Sequence, residues 1–150
     1  MKNKLVMAIA SRGGHWTQLN RLSAVWEDND VIYITNDPTL KSHVGSAKFE
    51  TVIDANMNQK FRLIILAFQT LLKVLKHRPN VIISTGAAPG FFALLWGKLI
   101  GAKTVWVDSV ANAEELSLAG KKVSKLADVW LTQWPEVAKE DGPLYKGRVF

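Results

Sequence analysis

The feature that most constrains the fold is the alternation of short apolar runs with longer helical stretches along the chain. The runs are rich in Val and Ile, too short for helices, and several contain no polar residue. Parallel strands buried on both faces have this composition, and each needs a crossover to reach the next. The sequence therefore predicts an α/β fold, a Rossmann-like parallel sheet with helices on both faces. The predicted strands are Leu5–Ala10, Val31–Thr35, Thr51–Ile53, Val81–Ile83, Thr104–Val107 and Val129–Leu131, with another beginning near Tyr145.

The segments between these runs predict the helices. The first helix carries apolar residues at a helical spacing, which places Leu19, Leu22, Val25 and Trp26 on its buried face. With 150 residues and neither a linker nor a repeat, we expect one domain over residues 1–150. The predicted helices are Trp16–Glu27, Phe61–Lys76, Phe91–Ile100 and Ala113–Leu126, the last broken or restarted near Gly120.

Composition and charge narrow the classes of function. Hydrophobic residues make up 48% of the chain, which excludes a disordered protein. There is no cysteine, and the three histidines stand apart, so we expect neither disulfides nor a metal site. The net charge of +6 indicates an anionic partner. Nucleic acid is disfavoured because no element interleaves aromatic with basic residues. The N-terminus lacks a secretion signal, and we expect an intracellular protein.

Two glycine-containing turns follow predicted strands. Ser11–His15 joins the first strand to the first helix, and Ser84–Gly90 follows the fourth strand. Free backbone N–H groups at a helix N-terminus favour an anion, and His15 adds a group that can donate to a phosphate or transfer a proton. The alternative is a tight turn with His15 as a solvated cap. The candidate anion ligands in the first turn are Ser11, Gly13, Gly14 and His15.

Known nucleotide motifs fit these turns poorly. A dinucleotide fold needs a third glycine in the first turn, which is missing, although Asp37 could serve as its acid. No P-loop motif occurs in the chain. The carboxyl ends of the predicted strands also carry Asn36-Asp37 and Asp108–Asn112. Because those ends lie at one edge of a parallel sheet, we expect a single cleft there.

The helix from Phe61 to Lys76 is unusually apolar, since residues 61–68 are interrupted only by Arg62. It is too short and too often interrupted to span a bilayer. One interpretation is a helix covered on two sides by the rest of the fold. The other is a helix that presents one face to lipid, with basic flanks at anionic headgroups. The candidate membrane residues are Lys60, Arg62, Phe68, Lys73, Lys76 and Arg78.

Several motifs in a fixed order resemble one family. The chain is similar to the Alg-fourteen-type oligosaccharide biosynthesis proteins, including bacterial exopolysaccharide and capsule subunits of the PssD/CpsF type. More distantly it resembles the N-terminal half of the lipid-linked glycosyltransferase of peptidoglycan synthesis, MurG. The motifs are Ser11–His15 with Thr17 and Leu19, Ser84–Gly90, Gly101–Ser109, Glu115–Lys121, Ala127-Asp128, Gln133–Pro135 and Tyr145–Val149.

This resemblance implies the acceptor-binding half of a two-component inverting GT-B glycosyltransferase, without a cofactor. An Alg-thirteen-like partner would bind the UDP-sugar, and this chain would hold a polyprenyl-diphosphate-linked saccharide at the inner face of the plasma membrane. Asp37, Asp108 and His15 are then the catalytic candidates, and Asn112, Glu114 and Glu115 are candidates for contacts with the acceptor sugar. The first turn would bind the acceptor diphosphate through Ser11, Gly13, Gly14 and His15, with Thr85 and Gly86 as the second wall of the site. For each Asp the alternative is a loop cap, and for the other three a helix cap. The competing functions are a non-catalytic membrane-recruiting scaffold and a free-standing nucleotide-binding protein.

Overall fold

A computed structural model describes residues 3–149, and their strands form one sheet in the order β3-β2-β1-β4-β5-β6-β7. Every neighbouring pair is parallel, and β1 pairs with both β2 and β4. The predicted fold class is therefore confirmed. The elements are β1 (Leu5–Ile9), α1 (Gly14–Arg21), β2 (Asp30–Thr35), β3 (Lys48–Thr51), α2 (Lys60–His77), β4 (Val81–Ser84), α3 (Ala87–Leu99), β5 (Lys103–Val107), α4 (Leu118–Lys122), β6 (Val129–Thr132) and β7 (Leu144–Tyr145).

The core lies in two layers, one on each face of the sheet. Alternate residues of β1 belong to different layers, because side chains alternate along a strand. Met7 and Ile9 pack in the layer beneath α2 and α3, whereas Val6 and Ala8 pack in the layer beneath α1. Both faces are covered, which explains the nearly continuous apolar character of the central strands.

The strand order reverses direction between β1 and β4. From β1 the chain proceeds outward to β2 and β3, then returns to β4 on the other side of β1 and continues outward. In open parallel sheets, ligands bind in the crevice outside the carboxyl ends of the strands at such a switch point. The switch point lies between β1 and β4, and the two glycine-containing turns follow these two strands.

Two predicted boundaries in the first half are wrong. Helix α1 ends at Arg21 and continues as a 3-10 turn, Ser23–Trp26, which leaves Val25 72% exposed. Strand β3 ends at Thr51, because the N–H of Ile53 donates to the Gln69 side chain (2.8 Å) instead of joining the sheet.

Two helices differ from prediction in the second half. Helix α3 begins at Ala87 rather than Phe91, since Pro89 falls within the first turn, where proline is tolerated. The predicted helix over residues 113–126 forms only in its second half, as α4 and a 3-10 turn, Val123–Lys125, and α4 runs through Gly120 without the predicted break. Ser117 caps α4 by accepting from the N–H of Gly120 (2.9 Å), so the helix starts there.

Candidate functional site

The turns after β1 and β4 are joined by a pair of hydrogen bonds. The Thr85 hydroxyl donates to the carbonyl of His15 (2.6 Å), and the Nδ1–H of His15 donates to the carbonyl of Thr85 (3.1 Å). A Cβ at Gly86 would lie 2.4 Å from Nδ1 of His15, so only glycine allows this approach. The structure thus brings His15, Thr85 and Gly86 together at the switch point, as the sequence predicted. We call this pair of turns the clasp (residues 11–15 and 84–88).

The N-termini of α1 and α3 both open at the clasp without a side-chain cap. Gly13 and Gly86 occupy the two N-cap positions, and neither first turn contains an acidic residue. The first N–H groups of each helix therefore have no partner within the helix, and both helix dipoles present positive charge to the same crevice. Ser11 and Gly14 complete the first turn, Ser11 half-buried and Gly14 exposed. This arrangement favours an anion bound across both turns.

The backbone at the second turn is strained. Ala87 has φ +70°, a left-handed conformation that costs a non-glycine residue free energy, directly after Gly86 at φ +143°. Ser84 braces the turn by accepting from the N–H of Gly86 (3.1 Å). Strained turns held by their surroundings cluster at binding and active sites.

The hydrogen bond to Thr85 fixes the tautomer of His15. A carbonyl oxygen only accepts, so Nδ1 of His15 carries the proton and Nε2 of the neutral ring has a lone pair. The ring is half-buried and lines a cavity of about 410 Å³. The lone pair can accept a proton from a hydroxyl, and the protonated ring can donate to a phosphate.

Asp37 follows β2 and caps a 3-10 turn, Pro38–His43. Its carboxylate accepts from both the hydroxyl (2.7 Å) and the backbone N–H (2.9 Å) of Thr39. The hydrogen bond from the Thr39 hydroxyl is the main cause that lowers the pKa of Asp37 below its usual value. A lowered pKa makes the carboxylate a weaker base, and the contacts fit the alternative of a loop cap.

Asp108 is buried at the end of β5 and holds the loop that follows. One carboxylate oxygen accepts from the Trp106 indole N–H (3.0 Å) and the Ser117 hydroxyl (2.6 Å). The other accepts from the Asn112 amide (3.1 Å) and the Ser117 backbone N–H (2.9 Å). With four donors on its two oxygens, Asp108 positions the segment 109–117. Asn112 belongs to this arrangement, so its predicted role as a helix cap is wrong.

Glu114 and Glu115 lie away from the clasp. Both are exposed and line a separate cavity of about 440 Å³, between α4 and the loop after β6. Glu115 pairs with Lys121 (2.7 Å), and the hydrogen bond from Lys121 lowers the pKa of Glu115. The structure therefore does not bring these carboxylates together with His15, and neither caps a helix.

A buried polar network, which sequence reasoning missed, ties α1 to the chain's last residues. Gln18 donates to the Ser109 hydroxyl (3.1 Å) and accepts from the backbone N–H of Val110 (3.0 Å). Gln133 donates to the carbonyl of Asp108 (3.0 Å) and accepts from the N–H of Val149 (2.9 Å). The only signal in the sequence is a glutamine on the otherwise apolar face of a helix.

Helix α2 exposes a long row of apolar residues to solvent. Within residues 3–149, no helix is long and apolar enough to cross a bilayer. At its start Lys60 and Arg62 are exposed, and Arg78 follows its end. Phe68 lies within the row. We call this row the apolar face; its members are Phe61, Ile64, Ile65, Phe68, Leu72 and Leu75.

The basic residues near the end of α2 differ in their surroundings. Lys73 is mostly buried and pairs with Glu50 (2.8 Å), so it does not belong to an exposed basic rim. His77 also contacts Glu50, and Lys76 lies 3.7 Å from the same carboxylate. Burial alone raises the pKa of Glu50, but the hydrogen bonds from Lys73 and His77 outweigh it and lower that pKa overall.

Solved structures share the architecture of this chain. It aligns with MurG of Acinetobacter baumannii at a TM-score of 0.78, 14% identity, over 95% of this chain and 45% of that one. It aligns with UDP-GlcNAc 2-epimerase of Methanocaldococcus jannaschii at a TM-score of 0.59, 10% identity, over 91% of this chain and 40% of that one. These likenesses show the fold, the Rossmann-like α/β arrangement of one half of GT-B glycosyltransferases such as MurG.

The sequence comparison assigns the family. The model for the family "Oligosaccharide biosynthesis protein Alg14 like" matches residues 6–149, and the chain belongs to this family. A relative in Yarrowia lipolytica, named UDP-N-acetylglucosamine transferase subunit ALG14, is 32% identical over 82 residues. The mouse protein of the same name is 37% identical over 87 residues. These alignments cover 50% and 51% of this chain, and 38% of each relative's length. The family resemblance is thus confirmed, while the PssD/CpsF type stays a prediction.

Proposed function

We propose that this chain is the acceptor-binding subunit of a two-component inverting glycosyltransferase. It would move a sugar from a UDP-sugar to a polyprenyl-diphosphate-linked saccharide, in exopolysaccharide, capsule or lipid-linked oligosaccharide synthesis. One observation carries the proposal: two uncapped helix N-termini are joined at the switch point of a GT-B-like half. In this proposal they form the cradle for the diphosphate. The family membership and the names of the relatives support it.

In this proposal the clasp holds the diphosphate and leaves the sugar hydroxyl free to react. The backbone N–H groups at Gly14 and Ala87 donate to the phosphates without a metal or cofactor. The acceptor oxygen then attacks the anomeric carbon opposite the UDP leaving group, and a base takes its proton. His15 and Asp37 are the proposed bases, since both oxygens of Asp108 already accept hydrogen bonds within the fold.

The donor site would lie on a partner. The relatives are named subunits, and we propose an Alg-thirteen-like partner that binds the UDP-sugar and closes over the carboxyl edge of the sheet. Contacts of the acceptor sugar with Asn112, Glu114 and Glu115 stay a prediction.

The apolar face of α2 would bind the inner surface of the plasma membrane. A continuous row of exposed aromatic and aliphatic residues is unusual on a protein surface and marks an interaction site. Lys60, Arg62, Lys76 and Arg78 flank this row and would meet anionic headgroups. Peripheral binding of this kind places the clasp near the headgroups, where the diphosphate of a lipid-linked acceptor resides.

A second candidate is a non-catalytic, membrane-recruiting scaffold, and the capping contacts of Asp37 and Asp108 favour it. The test reconstitutes the chain with its partner and measures sugar transfer for His15→Asn and Asp37→Asn. Loss of turnover with the complex intact supports the catalytic subunit, and unchanged turnover in both variants supports the scaffold. Complete transfer by the chain alone, or tight UDP-sugar binding without a partner, would contradict both.

A further inference from the structure

An apolar cavity of about 410 Å³ lies beside the clasp, at the carboxyl edge of the sheet. Its volume is in the range of small-molecule sites, roughly 300–1,000 Å³. It forms where the loop before α2 meets the first turns of α2, α3 and α4, and its walls are predominantly aliphatic and aromatic. Phe91 and Phe92, with ring centroids 5.5 Å apart, form one of them.

Part of the cavity lining is suited to an anion. His15, Ala87 and Ala88 line the cavity, and these residues belong to the clasp and to the uncapped first turn of α3. Lys122 also lines the cavity and adds positive charge to it. A group bound across the clasp would therefore lie beside an apolar chamber, so the arrangement fits a ligand with a charged head and an apolar chain.

The cavity also borders the first turn of α2, beside the apolar face. Leu63 lines the cavity from the first turn of α2, next to Phe61 and Ile64 of the apolar face. Met57 also lines it while remaining 52% exposed, which marks an opening to solvent. An apolar chain that leaves the cavity here continues along the surface proposed to contact the bilayer.

We infer that this cavity binds the first isoprenoid units of the acceptor lipid, directly beside the diphosphate. The inference rests on the proposed function and extends it, because it assigns part of the lipid to the protein rather than to the bilayer. Burial of those units in an apolar chamber adds to the affinity in proportion to the apolar area removed from water. The cavity therefore selects an acceptor by the lipid next to its phosphate.

Calorimetric titration of the full chain with small ligands tests this inference. The ligands are inorganic pyrophosphate, farnesyl diphosphate and dodecyl diphosphate, whose straight chain matches the main chain of farnesyl, all below their micelle-forming concentrations. We expect farnesyl diphosphate to bind at least about tenfold more tightly than pyrophosphate, with the straight chain in between. Equal affinity for the two chains would overturn the isoprenoid assignment.

A double variant, Met57→Gln with Leu118→Gln, places two polar side chains at the cavity. Both residues are more than half exposed, so the core stays closed. The variant should keep its pyrophosphate affinity and lose most of the tenfold gain, whereas the control Val25→Gln with Leu99→Gln, outside the cavity, should keep both.

The outcomes separate the two proposals. A gain that survives the double variant, or no gain in the wild type despite pyrophosphate binding, overturns the cavity assignment alone. A wild-type chain that binds neither pyrophosphate nor farnesyl diphosphate overturns the proposed diphosphate site, and the cavity assignment with it.

Discussion

Replacing Asp108 by Asn separates a carboxylate that positions a loop from a carboxylate that takes a proton. The substitution converts one acceptor oxygen into an NH2 group, which only donates. On one side the NH2 group would face the Trp106 indole N–H, and on the other the Ser117 backbone N–H. Neither of these donors can become an acceptor, so one is left without a partner in a buried site.

The magnitude follows from these contacts. A buried donor without a partner costs about 1–3 kcal/mol, and the remaining bonds weaken because they no longer involve a charged acceptor. We expect Asp108→Asn to lower the free energy of unfolding by about 2–4 kcal/mol, which in a domain of this size lowers Tm by roughly 5–15 °C.

Urea unfolding monitored by tryptophan fluorescence measures the change, with Asp37→Asn as the matched control. Asn caps turns as well as Asp, so the control should retain the wild-type stability. If Asp108→Asn unfolds like the wild type but abolishes sugar transfer in the reconstituted complex, Asp108 is a base and the positioning role is refuted.

Three other sets of substitutions test His15, the Glu50 pairing and the apolar face of α2. In His15→Asn the amide can still donate to the carbonyl of Thr85, but the base at Nε2 is lost. This variant should reduce sugar transfer in the reconstituted complex roughly 100-fold or more, and unchanged transfer would exclude His15 as the base. The pKa of Glu50 is lowered in the folded state, so its pairing with Lys73 and His77 stabilises the fold fully at pH values above the ordinary Glu pKa of 4.5. This stabilisation is lost as the pH falls through the lowered pKa. Glu50→Gln should therefore unfold more easily than the wild type near neutral pH and lose less stability on acidification; parallel pH profiles in urea unfolding would refute the pairing. Phe61→Gln with Phe68→Gln should reduce sedimentation with anionic vesicles at least fivefold relative to the exposed control Val25→Gln, and equal sedimentation would remove the apolar face from membrane binding.

The sheet and the meeting of the two turns were predictable because each depends on a local pattern. Apolar runs and glycine turns indicate strands and their ends, and a parallel sheet places those ends at one edge. The pairing of His15 with Thr85 follows from that placement. The resemblance to the family also rests on short motifs, each readable without the fold.

The features that the sequence did not predict depend on contacts between residues that are distant along the chain. The segment before α4 has a helical composition, but hydrogen bonds to Asp108 hold it as a loop, and no periodicity in the segment signals them. Lys73 pairs with Glu50 because β3 lies beside α2, which the sequence does not indicate. The cavity could not be predicted because its walls come from α1, the loop before α2, α2, α3 and α4, which are distant in the sequence.

The measurement that tests the diphosphate site most directly is pyrophosphate binding by Gly14→Asp and Gly14→Asn at low salt. Gly14 is the first residue of α1, and a Cβ there meets no atom within 4 Å, so both side chains fit equally. A carboxylate at a helix N-terminus stabilises the helix but repels an anion bound there. We expect Gly14→Asp to fold at least as stably as Gly14→Asn and to bind pyrophosphate at least about tenfold more weakly. Equal pyrophosphate affinities in the two variants would contradict a diphosphate site at the clasp.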